Sequence, residues 1–330
     1  MQSIAIYGLG RIGRQLLRSA VRNDLFFPTV VCDIAHAGQL AALLEVDTNY
    51  GRWPGITSDD DSISVDGRRI AYVNSRDSLP DWKALGVDVV IDCTGRGVTR
   101  EAADRHRANG ATRVLMSGPS ATAADCDAVL LPGINLDHYD PEAHKIISMA
   151  SCTTNALAAV VKVLLDTTGI KHGLFSTVHA YTNTQSLTDQ PMKSRRDSWA
   201  AAENIIPSSS GAAKALGFIW PDLKITGKAY RVPVRTGSIV ELNVVPEREV
   251  STEELRDLFR AAATSGPLAG ILDVFEDEWS SARVVGDPHS SIVDLPLTQS
   301  FNGTVSVAAW YDNEAGFSMR LAETAALLAS

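Results

Sequence analysis

Apolar and polar positions along the first half of the chain alternate in two rhythms. Short β-branched runs at Ser3–Tyr7, Thr29–Cys32, Val87–Asp92, Arg113–Met116 and Lys145–Met149 predict strands. Between them, Arg11–Val21, Gly38–Leu44 and Arg100–Asn109 carry the spacing of helices with one apolar face. Strand and helix in regular alternation predict a mostly parallel sheet with helices on its faces. A hairpin is expected at Ser62–Val73, turning on Asp66-Gly67. From Gly173 the texture changes to longer strand-like runs, Gly173–Thr182, Lys228–Val234, Ser238–Val245 and Thr304–Tyr311, which predict a largely antiparallel sheet. One helix, Thr252–Thr264, is expected among them, capped by Ser251 or Thr252 with Glu253-Glu254 in its first turn. Asn183–Ser198 is a long polar irregular loop, and Ala315–Leu328 reads as a closing amphipathic helix.

Two positions carry candidate chemistry. Gly8-Leu9-Gly10-Arg11-Ile12-Gly13 follows a predicted strand and opens a predicted helix. Glycines so spaced permit a tight turn, close backbone approach to a pyrophosphate, and close helix–strand packing. Asp33 ends the second strand 20 residues beyond Gly13, the separation expected of a carboxylate that binds the adenosine ribose. That carboxylate repels a 2′-phosphate, so NAD is the expected cofactor, with NADP a possible second. Thr94-Gly95 and Ser117 end further strands and belong on the cofactor side of such a sheet.

The second position is Cys152, in Ser151-Cys152-Thr153-Thr154-Asn155, followed by the helical apolar spacing of Leu157, Val160, Val161, Leu164 and Leu165. A thiol at a helix start feels the positive end of the helix dipole, which is expected to lower its pKa. The hydroxyls of Ser151 and Thr153 and the helix N–H groups make the same turn a candidate anion site. Nucleophile and anion site together suggest covalent catalysis on a substrate that bears or consumes phosphate. Most free cysteines are buried structural residues, and Cys32, Cys93 and Cys126 take that reading.

Composition narrows the class. The 330 residues suggest two domains more readily than one, and 45% hydrophobic with 21% charged residues is an ordinary globular balance. A net charge of −9 argues against a nucleic-acid partner. No apolar run reaches membrane-spanning length, no signal-peptide pattern is seen, and the four scattered cysteines fit neither a disulfide framework nor a metal site. A cytoplasmic enzyme with reduced thiols is the expectation.

Taken in order, Gly8–Gly13, Ser151–Asn155, Thr177-Val178-His179-Ala180, Ile205-Ile206-Pro207 with Gly211-Ala212-Ala213-Lys214, Arg231-Val232-Pro233 and Trp310-Tyr311-Asp312-Asn313-Glu314 resemble the phosphorylating glyceraldehyde-3-phosphate dehydrogenases over essentially the whole chain. The resemblance implies an α/β protein with a Rossmann-type dinucleotide-binding domain at 1–150, completed by a C-terminal helix at 315–330. An α/β catalytic domain with a mostly antiparallel sheet fills 151–314, and the implied assembly is a homotetramer. It implies that Cys152 is the nucleophile and His179 its base. Gly8, Gly10, Arg11, Ile12, Gly13, Asp33, Arg76, Thr94, Gly95, Ser117 and Asn313 would contact the cofactor, Asn313 through the nicotinamide carboxamide. Thr182 and Arg231 would take the substrate's phosphate. Ser151, Thr153, Arg196, Ser210 and Gly211 would complete the binding of substrate and inorganic phosphate.

The chain departs from that pattern at several positions. Ala315 and Phe317 stand where Trp and Tyr are usual, Trp199 replaces a frequent Arg, Cys32 a common Asn, and Ala156 a common second Cys. Gln190 precedes Pro191 where NAD-specific relatives carry an apolar residue. Two other readings therefore stand beside the first. One is an erythrose-4-phosphate dehydrogenase, disfavoured by Thr182 and the Ser210–Ala213 run. The other is a catalytically weak NAD-binding or redox-sensing relative.

Overall fold

The computed structural model describes residues 2–330. They form two compact units, one holding the chain up to Ala150 together with Ser318–Ser330, the other Ser151–Phe317.

In the first unit Ile4–Tyr7 lies mid-sheet, paired in parallel with Val30–Asp33 on one side and Val89–Asp92 on the other. Arg113–Met116, Ile146–Ser148 and Ala128–Val129 extend the sheet beyond Val89–Asp92. Arg68–Asn74, Ser62–Val65 and Ile56–Asp59 extend it the other way, which gives nine strands among the described residues. Ile4, Ala5, Ile6, Val30, Val31 and Val89–Ile91 are all buried, as a parallel sheet covered on both faces requires. Because the chain returns on opposite sides of Ile4–Tyr7, a crevice opens at the carboxyl ends of these strands, where doubly wound folds bind ligands. Gly8, Asp33 and Thr94 all follow or end strands there. The hairpin forms as expected, with Asp66 at φ 50° and Gly67 at φ 77°, the pair of positive values a two-residue turn of this hand needs. Within this unit the final helix is tied down by Gln2 N–H donating to Ala329 O (2.7 Å) and Arg113 donating to Leu328 O (3.3 Å).

The second unit is built on a sheet ordered Ile206–Ser209, Ile225–Val232, His172–Ala180, Ser238–Val245, Thr304–Tyr311, Ser291–Asp294 and Leu272–Phe275, with Gln299–Phe301 paired to Thr304–Tyr311. It is mostly antiparallel, but His172–Ala180 runs parallel to Ile225–Val232, and Leu272–Phe275 to Ser291–Asp294. The first parallel pair is possible because a long crossover separates its strands. That crossover includes Ala212–Ile219, a helix the sequence pattern did not signal because Ser208–Gly211 leads into it and Gly217 interrupts it. The strand expected at Lys228–Val234 runs instead from Ile225 to Val232, since Pro233 has no N–H to give a neighbour. Across the sheet lies Cys152–Thr167, whose Leu157, Val160, Val161 and Leu164 are buried.

Candidate active site

In the first unit the glycine loop fits a dinucleotide. Gly8 has φ 96°, which favours glycine. A Cβ at Gly13 would lie 1.9 Å from Gly8 O, so only hydrogen lets the helix approach the strand. Helix Arg11–Arg22 begins at Gly10 with no side-chain cap and no acidic residue in its first turn, leaving its positive end open to an anion. The Arg11 guanidinium itself turns to Asp47 at 2.6 Å. Asp33 ties the loop to its own strand end. It accepts from Leu9 N–H at 2.7 Å through one oxygen, and from Ile34 and Ala35 N–H at 2.7 and 3.0 Å through the other.

A cavity of about 650 Å³ lies against this loop, and Gly8, Gly10, Asp33, Arg76 and Thr94 are in its wall. Arg11, Ile12, Gly13, Gly95 and Ser117 are outside that wall. Arg76 reaches back to Ile34 O at 3.0 Å. Asp92, which sequence reasoning missed, organises the far side. Its Oδ1 accepts from the Thr94 N–H (2.9 Å) and hydroxyl (2.6 Å), and its Oδ2 meets His106 Nε2 at 3.3 Å. Its carboxylate occupies the space a side chain at Gly97 would need, since a Cβ there would sit 1.7 Å from Oδ2. A carboxylate at a strand end directly before Cys93-Thr94-Gly95 was the available signal.

In the second unit, strand register assembles the surroundings of Cys152. Cys152 opens its helix behind Ser151, whose Oγ accepts from Thr154 N–H at 3.1 Å. Ala150, buried just before the turn, holds φ 54°, an uncommon value for a residue with a Cβ. His179 and Arg231 are partners across the parallel strand pair, and Ile206 is paired with Arg231 on the other side. The Cys152 Sγ then lies 3.4 Å from His179 Nε2. On the ring's other side Nδ1 is 2.7 Å from Ala180 O and 2.6 Å from an Arg231 terminal nitrogen, which also donates to Ala180 O at 3.1 Å.

The charge state differs from the expectation of an acidic thiol. Burial raises the Cys152 pKa, and this outweighs the opposing pull of Arg231 and of the N–H groups at the helix start. Burial also drives His179 down to about 3, helped by Arg231, so the imidazole is neutral near pH 7. Both shifts run against the charged forms of the pair.

Tyr311 is a second such residue, marked in the sequence only as part of the run Trp310–Glu314. Its hydroxyl bridges Thr153 Oγ1 (3.0 Å) and Thr177 Oγ1 (2.9 Å), and its ring stands edge-on to His179 at 5.9 Å between centroids. One hydroxyl thus links the helix that Cys152 opens to the strand that carries His179. Tyr311→Phe is expected to lower stability by about 1–3 kcal/mol, because it leaves buried threonine hydroxyls short of a partner. Urea unfolding of variant and parent checks this.

Asn313 is buried, and its Oδ1 accepts from Thr236 (3.2 Å) and Ser238 (3.3 Å), which fixes the amide's orientation. The remaining predicted anion contacts are not bonded to the Cys152 cluster. Thr182 bonds Thr184 and Gln185, and Ser210 accepts from Ala212 N–H before the helix that follows Gly211. Arg196 is exposed in the short turn Arg195–Ser198. Among the described residues no cluster of His, Cys, Asp or Glu is placed to hold a metal ion.

Comparison with known proteins decides the family. Residues 2–100 match the glyceraldehyde 3-phosphate dehydrogenase NAD binding domain, and residues 151–313 match the C-terminal domain of the same family. The chain belongs to the glyceraldehyde-3-phosphate dehydrogenase family. It is 47% identical to glyceraldehyde-3-phosphate dehydrogenase of Kitasatospora aureofaciens, with all of both chains covered. It is 43% identical to that of Streptomyces coelicolor (97% of this chain, 96% of the relative) and 41% identical to that of Geobacillus stearothermophilus (99% and 98%). As in other members of an oxidoreductase family with this first domain, NAD is the cofactor. Ala315 and Phe317, where the chain departs from the family pattern, are both buried, and Ala315 N–H donates to Asp312 Oδ1 at 3.0 Å. Gln190 is turned to Ser186 at 2.8 Å, and Trp199 stands half-exposed.

Proposed function

We propose that the protein oxidises glyceraldehyde 3-phosphate to 1,3-bisphosphoglycerate with NAD and inorganic phosphate. The observation that carries this reading is the Cys152 Sγ at 3.4 Å from His179 Nε2 with Arg231 against the same ring. The Cys152 sulfur attacks the aldehyde carbon, its proton passing to His179, and gives a hemithioacetal. The Gly8–Gly13 loop and Asp33 would hold NAD, which when bound supplies the hydride acceptor. Cys152 then carries a thioester, which phosphate oxygen attacks to release the acyl phosphate and return the sulfur. His179 Nε2 faces the developing oxyanion and steadies it when protonated. Arg231 and Thr182 take the substrate's phosphate, Arg231 as a planar fork whose buried Nε has no hydrogen-bond partner among the described residues. Ser151, Thr153, Ser210 and Gly211 serve the attacking phosphate, Arg196 is a further substrate or phosphate contact, and the buried Thr153, already bonded to Tyr311, is the most constrained of them.

The same reading includes a homotetramer in the cytoplasm. Leu174 (63%) and Val178 (41%) are exposed on one strand of the second unit's sheet, and Leu187, Met192 and Ile205 nearby in sequence are exposed too, which supports a partner subunit. All four cysteines are free, which supports a reducing compartment. NADH formation is expected with triose phosphate, NAD and phosphate together, and to fall to background when phosphate is left out. A panel of NAD against NADP, and triose against tetrose phosphate, checks the specificity. Equal rates without phosphate would refute the phosphorylating reaction, and light scattering at monomer mass would refute the assembly.

A further inference from the structure

His106 is a buried residue that the chemistry at Cys152 does not use. It belongs to helix Arg100–Ala108, is 2% exposed, and forms part of the wall of the 650 Å³ cavity beside the glycine loop. Its neighbours decide which ring nitrogen carries the proton. The Trp82 indole N–H, 3.0 Å from Nδ1, can only donate, so Nδ1 presents its lone pair. The ring's proton is then on Nε2, which donates to Asp92 Oδ2 at 3.3 Å. The Tyr7 ring stands edge-on to both His106 (4.9 Å between centroids) and Trp82 (6.1 Å). Trp82 and Asp92 are themselves buried, so the arrangement is held on all sides by protein.

Asp92 passes this constraint on to the cavity. Its other oxygen holds Thr94 through both N–H and hydroxyl, and Thr94 Oγ1 in turn accepts from Arg96 N–H at 3.1 Å. Gly95, at φ 70°, lets the chain fold back until Gly97 lies against Oδ2. Thr94 also closes on the dinucleotide loop, since a Cβ at Gly8 would be 3.0 Å from its Cγ2 and from its N. The bonds from Thr94 are local and move with the turn. His106 comes from another element, so its bond fixes the carboxylate, and with it the turn, against the helix. We propose that His106, held in one tautomer by Trp82, is a positioning residue for NAD, which through Asp92 sets the Thr94–Gly97 turn in the cavity wall. The inference rests on the assignment of that cavity to NAD. Without the Nε2 donor the turn loosens, and Oδ2 carries more unshared negative charge in a wall that has to receive a pyrophosphate. Both effects weaken the cofactor.

Two substitutions divide the bonds of His106 between them. In His106→Gln the amide nitrogen falls where Nε2 was and still donates to Asp92, while the Trp82 N–H loses its acceptor. In His106→Asn the amide oxygen falls where Nδ1 was and still accepts from Trp82, while Asp92 loses its donor. The full-length proteins are titrated by calorimetry with NAD, and with ADP-ribose, which lacks the nicotinamide and reads the adenosine and pyrophosphate contacts alone. Affinity for both ligands is expected to fall about ten-fold in His106→Asn and no more than about three-fold in His106→Gln. Thermal midpoints should not follow that order, since each variant gives up one bond of the same buried ring. Affinities that track the midpoints instead would mark a purely structural residue and overturn the proposal. Nitrogen NMR of the parent requires no variant to fold: His106 should show Nδ1 unprotonated and Nε2 protonated, and the reverse overturns the proposal equally. A parent that does not bind ADP-ribose would remove the cavity's assignment and the proposal with it. ADP-ribose bound alike by parent and His106→Asn would remove the proposal alone.

Discussion

Cys152→Ser is expected to lower phosphate-dependent NADH formation by about a thousand-fold or more, the scale seen when a nucleophile is removed from a covalent mechanism. Serine keeps the shape of the helix start but offers an oxygen far less acidic than a thiol. Nothing in the site compensates, because burial already disfavours the anion even of sulfur, and the neighbouring His179, at about 3, is a weak base at rest. Turnover measured with triose phosphate, NAD and phosphate gives the first half of the result. Calorimetric titration with NAD gives the second, since the glycine loop and Asp33 belong to the other unit and keep every contact they have. Affinity for NAD should stay within about two-fold, well below the roughly ten-fold that 1.4 kcal/mol represents. Retained turnover would sink the covalent mechanism, and lost NAD affinity would mean that the variant is damaged more widely.

Local features of the sequence were read with little loss. Arg113–Met116, Ser238–Val245, Thr252–Thr264, Thr304–Tyr311 and Ala315–Leu328 have the same ends in pattern and in structure, because each is bounded by its own turn or cap residues. The Asp66-Gly67 turn was legible for the same reason. What the sequence could not show is long-range. That His179 faces Arg231 follows from the register of two strands separated by the whole crossover, and nothing local fixes that register. Tyr311 was visible only as part of a motif, since its bridge to Thr153 and Thr177 spans three separate segments. The direction of the Cys152 shift is opposite to the expectation for a related reason. A helix start can be seen in sequence, whereas the depth of protein around the sulfur belongs to the packed fold, and here the second effect outweighs the first.

Gly13→Ala and Gly10→Ala should separate two jobs that the glycine loop performs together. At Gly13 an added methyl meets Gly8 O at 1.9 Å, backbone against which no side chain can swing aside, so helix Arg11–Arg22 must shift off its strand. Overpacking of this kind costs about 1–3 kcal/mol. At Gly10 a Cβ meets nothing within 4 Å, and the backbone there, at φ −66°, suits any residue. The protein alone should therefore tolerate Gly10→Ala. Its glycine is needed when a pyrophosphate must come close to the chain and the uncapped helix N–H groups. The expected pattern is a thermal midpoint lowered by several degrees, about 2–4 °C per kcal/mol for a unit of this size, together with NAD affinity weakened ten-fold or so in Gly13→Ala. Gly10→Ala should weaken NAD to a similar degree at an unchanged midpoint. Melting curves with and without NAD read both quantities. A Gly10→Ala protein that binds NAD like its parent would mean that the pyrophosphate does not lie against this turn, and the assignment of the loop would fail with it.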